Sequence, residues 1–381
     1  MKVIYISFVR LTDRIARDWY INYLIENGIS VQFWDIIPLV REEHMDFGMI
    51  DPGYLIKIHN YKELEEKLLI HQNSDTLYVM LISYSARFSK IFRLLSKYNC
   101  RMLFISQGAM PVIVKPRSWK VINHINNPIR LLRIIVDNVK AKAFRKLKLV
   151  KPFDAIFYVG AVMKHNDQYT KKMIPINLCD YDLFRKSIPD GNRLVDKRYA
   201  VFLDINAAYH ADFAICGLPM LDPDNYFRSL NQFFKLLETD KNIKVVIASH
   251  PTSNYNNVTF HGREVFRLNT AKLVKDAEFV ITHHSTSLSY AVLNLKSVVF
   301  CYTNEMLFVY KETIVRQIRA QAEYLDSKTY NVDDIQDGKQ VIMKDINEQC
   351  YKNYKYDFLT SPQSEYSRSE KIFLDAIRAE V

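Results

Sequence analysis

Lys244-Val-Val-Ile-Ala-Ser-His-Pro251 is apolar until it stops abruptly at Ser-His-Pro. Glu278-Phe-Val-Ile-Thr-His-His-Ser-Thr-Ser287 is a second apolar run, ending in two histidines and three hydroxyls. Residues 288–295 then read as a short helix and Lys296-Ser-Val-Val-Phe300 as a third strand. β-Branched runs without polar alternation, separated by helical stretches, are what parallel strands buried on both faces require. Ligands of such sheets gather beyond the carboxyl ends of the strands. His250 and Pro251 stand at one such end, and His283, His284, Ser285, Thr286 and Ser287 at the next. A helix opening at Ser285, Thr286 or Ser287 would turn free backbone N–H groups and its positive dipole end toward the same crevice, which suits a phosphate.

The 381 residues exceed one ordinary core and suit two domains, the first over 1–190 and the second over 191–381. Five isolated cysteines, Cys100, Cys179, Cys216, Cys301 and Cys350, show no C-x-x-C spacing, which argues for a reducing compartment and against a zinc or disulfide framework. Lys2-Val-Ile-Tyr-Ile-Ser-Phe8 leads into a charged helix and lacks the apolar centre and cleavage site of a secretion signal. No uncharged apolar run approaches the roughly 20 residues of a membrane span. The net charge of +10 has one address. Residues 115–151 hold eleven Lys or Arg and a single acid, Asp137, and the rest of the chain balances. A local patch implies a local partner.

The N-terminal half alternates apolar and helical stretches. Strands are expected over 2–9, 30–37, 54–58, 77–82, 101–105, 154–160 and 173–177, with helices over 12–27, 61–71 and 85–98. This is a doubly wound, largely parallel sheet. No G-x-G-x-x-G occurs, which argues against a nicotinamide or flavin cofactor. The fifth strand leads into Gln107 and Gly108, an ordinary turn or an acceptor-side, interdomain loop. Residues 128–150 read as a basic amphipathic helix. It is either solvated and docked on its own domain or lying on an anionic membrane surface. Nucleic acid is disfavoured because only Trp119 and Phe144 could stack. Beyond a polar stretch at 187–197, a strand over 199–203 ends at Asp204, and His210 and Asp212 follow. A helix is expected over 225–239, and more over 304–324, 338–351 and 363–379, the last able to pack back across the domain boundary.

Asp180-Tyr-Asp182 and Asp222-Pro-Asp224 both fit D-x-D, which can hold a divalent metal, but the pattern is short and Asp224 reads more simply as a helix N-cap. Adjacent strand residues point to opposite faces, so at most one of His283 and His284 faces a crevice. No metal site is expected. Asp204 ends an apolar strand and is the first choice for a general base, with His210 and Asp212 in reserve.

Two Rossmann-like halves with a nucleotide crevice in the second resemble the GT-B glycosyltransferase architecture. Ser249-His250-Pro251 followed by Ser285-Thr286-Ser287 is similar to the His-Pro and Ser-Ser/Thr motifs of bacterial sialyl- and polysialyltransferases. Phe202-Leu-Asp204, His210-Ala-Asp212 and Asp180-Tyr-Asp182 look like transferases of capsule and O-antigen assembly. The resemblance implies an α/β fold of two Rossmann-like domains facing each other across a crevice. It implies a metal-independent, inverting glycosyltransferase that uses a CMP-nonulosonate of the sialic, pseudaminic or legionaminic type. His250, Ser285 and Thr286 would then hold the donor's phosphate and cytidine, flanked by Pro251, His284 and Ser287. The family's acidic base motif has no clean copy here. The partners expected are the nucleotide sugar, a lipid-linked or oligosaccharide acceptor, and an anionic membrane at 115–151, with no nucleic acid and no cofactor. The location expected is cytoplasmic, peripheral to the inner face of a bacterial membrane. A CDP-glycerol phosphotransferase, another nucleotide-sugar enzyme and a non-enzymatic membrane adaptor are the alternatives.

Overall fold

The computed structural model describes residues 1–40, 49–72, 75–108, 110–111, 128–165, 169–186, 193–209, 219–310 and 313–379. They form two compact units. The first holds the described residues of Met1–Gln107, Val114–Asn177 and Ser361–Val381, and the second those of Gly108–Ile113 and Leu178–Thr360. The chain therefore enters the main part of the second unit at Leu178, ahead of the expected boundary at 190, and returns to the first at Ser361.

The first unit is built on seven parallel strands: β1 (Lys2–Ser7), β2 (Ser30–Asp35), β3 (Leu55–Lys57), β4 (Thr76–Met80), β5 (Arg101–Ser106), β6 (Ala155–Val159) and β7 (Met173–Ile176). Their order is β3-β2-β1-β4-β5-β6-β7. β1, β4 and β6 are buried almost end to end, the pattern their unbroken apolar sequences call for. The helix expected over 12–27 is two helices, Asp13–Asp18 and Ile21–Glu26. Tyr20 separates them in a left-handed conformation (φ 63°), and its ring packs against Phe373 of the helix Ser369–Arg378. That helix completes the first unit. Ser369 Oγ accepts the Asn177 N–H at 2.8 Å, and Phe373 meets Phe157 edge-on at 4.8 Å.

The second unit has six parallel strands: β8 (Tyr199–Leu203), β9 (Lys244–Ser249), β10 (Val265–Arg267), β11 (Val280–Thr282), β12 (Val298–Tyr302) and β13 (Lys328–Asn331). Their order is β10-β9-β8-β11-β12-β13. Both sheets thus share the 3-2-1-4-5-6 order of a Rossmann fold, and the fold is α/β with two Rossmann-like units. In the second sheet the chain order reverses at β8, whose neighbours are β9 and β11. That reversal is where such sheets open a crevice. The helix Pro223–Lys241 packs over this sheet through Tyr226, Leu230, Phe233, Phe234 and Leu237, all buried. Its N-cap is Asp222, whose side chain accepts the Asp224 and Asn225 N–H groups. The cap therefore belongs to the first acid of Asp222-Pro-Asp224, because Pro223 must sit at the first helical position.

Candidate functional site

Leu203 pairs with Ala248 on one side and with Thr282 on the other, so the ends of β9, β8 and β11 are level. One residue further on, the three strands deliver Ser249, Asp204 and His283 to the same edge. Asp204 is buried, at 4% exposure. Its Oδ1 accepts the Asn206 N–H at 3.0 Å, closing an Asx turn that carries Asn206 into a left-handed conformation (φ 53°). Its Oδ2 accepts the His250 N–H at 3.2 Å and the Tyr255 hydroxyl at 2.8 Å. Burial, then the neighbouring Asp204 charge, raises the Tyr255 pKa, so this hydroxyl keeps its proton and donates. The carboxylate expected as a base thus ties the end of β8 to the start of the His250 turn.

That turn is closed. The His250 carbonyl accepts from the Ser253 N–H at 2.9 Å and from the Ser253 hydroxyl at 2.7 Å. Pro251 and Thr252 are exposed, and His250 is half-buried. His250 Nδ1 accepts the Thr252 N–H at 3.3 Å and lies 2.8 Å from Thr252 Oγ1. With Nδ1 acting as an acceptor, the neutral imidazole carries its proton on Nε2. The Ser-His-Pro-Thr-Ser sequence therefore sets a histidine tautomer as well as a turn.

At the end of β11 the two histidines separate, as a strand period of two requires. His283 is completely buried. Its Nδ1 donates to the Cys301 carbonyl at 2.7 Å, and its Nε2 accepts the Tyr226 hydroxyl at 2.9 Å. Burial, reinforced by His284 and opposed by the Cys301 carbonyl, lowers its pKa to about 4. His283 is a neutral packing histidine. Thr282 and His284 lie on the other face. Burial lowers the His284 pKa to about 4 as well. Among the described residues neither Thr282 Oγ1 nor His284 Nδ1 has a hydrogen-bond partner, although both atoms are buried. Buried polar atoms in native proteins are seldom left unpaired, so two on one face at a strand end mark a place built to meet something polar.

The hydroxyl cluster differs from its expected form. The helix begins at Leu288, with Ser287 as its cap, and ends at Leu293. The N–H groups of Leu288, Ser289 and Tyr290 bond the carbonyls of Ser285, Thr286 and Ser287, and the Ser287 N–H bonds Ser285 Oγ. Most of the donors expected to be free are spent on winding this tight turn. Thr286 is exposed and Ser285 is buried. The helix is anchored from outside the sheet: Ser289 Oγ and the Tyr290 hydroxyl donate to the two Asp180 carboxylate oxygens at 2.6 and 3.1 Å. Asp180 and Asp182 lie in the first turn of the helix Cys179–Lys186, where acids are favoured.

Gly108 adopts φ 91° with open space around it, so glycine is needed there for conformation alone. Gln107 Oε1 is buried without a partner among the described residues. His210 and Asp212 lie outside the described residues. Sequence reasoning missed Tyr255, Thr252 and Tyr226; Thr252 alone carried a signal, standing two residues from His250.

No known sequence family matches the chain, and no curated protein does. Several solved structures match by shape. A variant of the wall teichoic acid polymerase TagF aligns with a TM-score of 0.49 at 11% identity, over 100% of this chain and 90% of that one. The calicheamicin glycosyltransferase CalG4 gives 0.45 at 9%, over 99% and 96%. UDP-GlcNAc 2-epimerase of Methanocaldococcus jannaschii, solved with UDP-GlcNAc and UDP, gives 0.46 at 11%, over the whole of both chains. At these identities and scores the likeness says nothing of substrate or reaction.

Proposed function

We propose that the chain is a metal-independent, inverting glycosyltransferase of bacterial surface-polysaccharide synthesis, transferring a nonulosonic acid from its CMP-sugar to a glycan acceptor. The observation that carries this reading is the group of polar side chains at the strand reversal of the second sheet. There a histidine with Nε2–H stands at the end of β9, and Thr282 Oγ1 and His284 Nδ1 lie unpaired at the end of β11. In the reaction the acceptor oxygen attacks the anomeric carbon, the carbon–oxygen bond to CMP breaks, and its electron pair stays on the phosphate. His250 Nε2–H, with the Ser285 and Thr286 hydroxyls, stabilises that charge without a metal. Gln107 and Gly108 meet the acceptor. Asp204 positions the His250 turn, and the acceptor's proton goes to a base at His210 or Asp212.

A melting-temperature panel of CMP, CDP, UDP, GDP, dTDP and CDP-glycerol tests the donor. The cognate ligand at 100 times its dissociation constant adds about 2.7 kcal/mol, and CMP is expected to give the largest shift. A larger shift with CDP-glycerol makes the chain a glycerophosphotransferase, and no shift with any of them removes the enzyme reading. Asp204 has its own test. In Asp204→Asn one carboxylate oxygen becomes an NH2, which faces a buried donor and leaves it unpaired. The expected loss is about 1–3 kcal/mol of stability, with weaker CMP binding and an unchanged pH profile of turnover. Normal stability and binding with a ~10²–10⁴-fold loss of transfer would instead make Asp204 the base.

A further inference from the structure

We propose that the helix Pro128–Lys146 is a docking element for an anionic phospholipid surface, independent of which donor the enzyme uses. Leu132, Ile135, Val136 and Val139 are 63, 49, 54 and 62% exposed, and Leu147 just past the helix is 67% exposed. Their spacing of three, four and seven residues puts the first four on one side of a helix. At about 100° per residue, the exposed apolar arc is centred close to Leu132. The contacts that hold the helix to its own unit lie on the far side. Ala141 accepts from the Tyr84 hydroxyl, the Arg145 guanidinium covers the rings of Tyr84 and Tyr169, and Arg93 covers Phe144. The helix is thus docked by one face and presents the opposite, apolar one outward.

Charge says what that face meets. On the same projection Lys140 and Lys142 fall about 80° to either side of Leu132, and Lys146 lies between Lys142 and the apolar centre. Asp137, the only acid of 115–151, falls toward the docked side. An apolar strip edged by cations, with the acid turned away, fits the boundary between phospholipid headgroups and acyl chains. Just past the helix, Lys90, Arg93, Lys97 and Lys148 line an open basin of about 510 Å³ together with Leu149. Lys97 also pairs with Glu65 at 2.8 Å. The basin lies on the docked side, where Arg93 covers Phe144, and takes no part in the apolar face. Among the described residues no helix is long and apolar enough to cross a membrane, so this contact is with one leaflet. Residues 115–127 lie outside the described part.

Co-sedimentation of the full chain with vesicles of phosphatidylglycerol and phosphatidylcholine, against phosphatidylcholine alone, tests the proposal. Binding is expected to the anionic vesicles only and to weaken as salt rises. Each cation near the surface contributes about fivefold, so Lys140→Glu, Lys142→Glu and Lys146→Glu together should lower partitioning by at least about a hundredfold. Leu132→Ser with Val136→Ser and Val139→Ser should also release the protein, at an unchanged melting temperature because these side chains already face solvent. Equal binding to neutral vesicles overturns the idea. So does vesicle binding untouched by both triple variants. Failure to bind vesicles, with a sedimentation coefficient that changes in the serine variant, would show a second copy of the chain on this face.

Discussion

His250→Ala should lower turnover by about two to three orders of magnitude, the loss seen when one preorganised donor to a developing negative charge is removed. Melting behaviour should be nearly unchanged. The ring is half-buried and bonds Thr252, whereas the links that hold the turn, from the His250 N–H to Asp204 and from Ser253 to the His250 carbonyl, use the main chain of residue 250, which alanine keeps. His250→Gln checks the geometry, because its amide can replace a donor but not with the same reach, and it should recover part of the rate. Assaying both at saturating donor separates turnover from binding. An alanine variant that melts early yet turns over normally below its melting point would make His250 a structural residue.

The second large effect is on stability in acid. His283 and His284 both have pKa values lowered to about 4 by burial, against 6.5 for an unperturbed histidine. Above about pH 6.5 both are neutral whether the chain is folded or not, and they contribute no pH dependence. Between 6.5 and 4 the unfolded chain takes up their protons while the folded chain does not, so stability falls as pH falls. At about 1.4 kcal/mol per pH unit per group, His283 alone should remove about 3 kcal/mol by pH 4. His284, which keeps some solvent contact, should remove less. The loss belongs to the second unit and should appear in its urea transition, followed at pH 7.5, 6, 5 and 4.5. His283→Gln should start lower at pH 7.5, because Tyr226 and the Cys301 carbonyl lose their partner, and then decline less steeply. A wild-type transition that stays flat from pH 7.5 to 4.5 would contradict the assignment.

All seven strands of the first sheet could be read from the sequence because each is a run of apolar residues bounded by helix or turn. In the second sheet β8, β9, β11 and β12 were equally plain. β10 and β13 were not. They are Val-Phe-Arg and Lys-Thr-Tyr-Asn, the two edges of the sheet, each with one neighbour and partly exposed along its length. An edge strand with one free side tolerates polar residues, and β10 and β13 carry them, whereas the edges of the first sheet, β3 and β7, sit in mostly apolar sequence. The helix expected over 338–351 failed for a different reason. Gly338 presses against the helix Pro223–Lys241, where an added Cβ would come within 2.6 Å of the Leu236 carbonyl, and its N–H bonds Asp240. That close approach makes a short turn, and the helix waits until Glu348–Tyr354.

At the site, strand ends were legible because apolar runs stop there, and this put Asp204 and His250 at neighbouring strand ends, where the carboxylate accepts the His250 N–H. Their partners were not legible. Tyr255 reaches Asp204 across 51 residues, and Tyr226 reaches His283 across 57, separations that no local pattern encodes. Periodicity said that one of the two adjacent histidines must turn inward. Only the Cys301 carbonyl and the Tyr226 hydroxyl show that it is His283.

The return of the chain to the first unit has a consequence during synthesis. The helix Ser369–Arg378 supplies Ser369 to Asn177 and Phe373 to Tyr20 and Phe157, so it closes a core whose other parts were made much earlier. Nearly the whole of the second unit is translated in between. At roughly 5–20 residues per second the ribosome needs on the order of 10–40 s to cross that stretch. Through that interval the first-made domain waits with an apolar face uncovered, a natural client for a chaperone. A chain released before Ser369 would leave it so permanently.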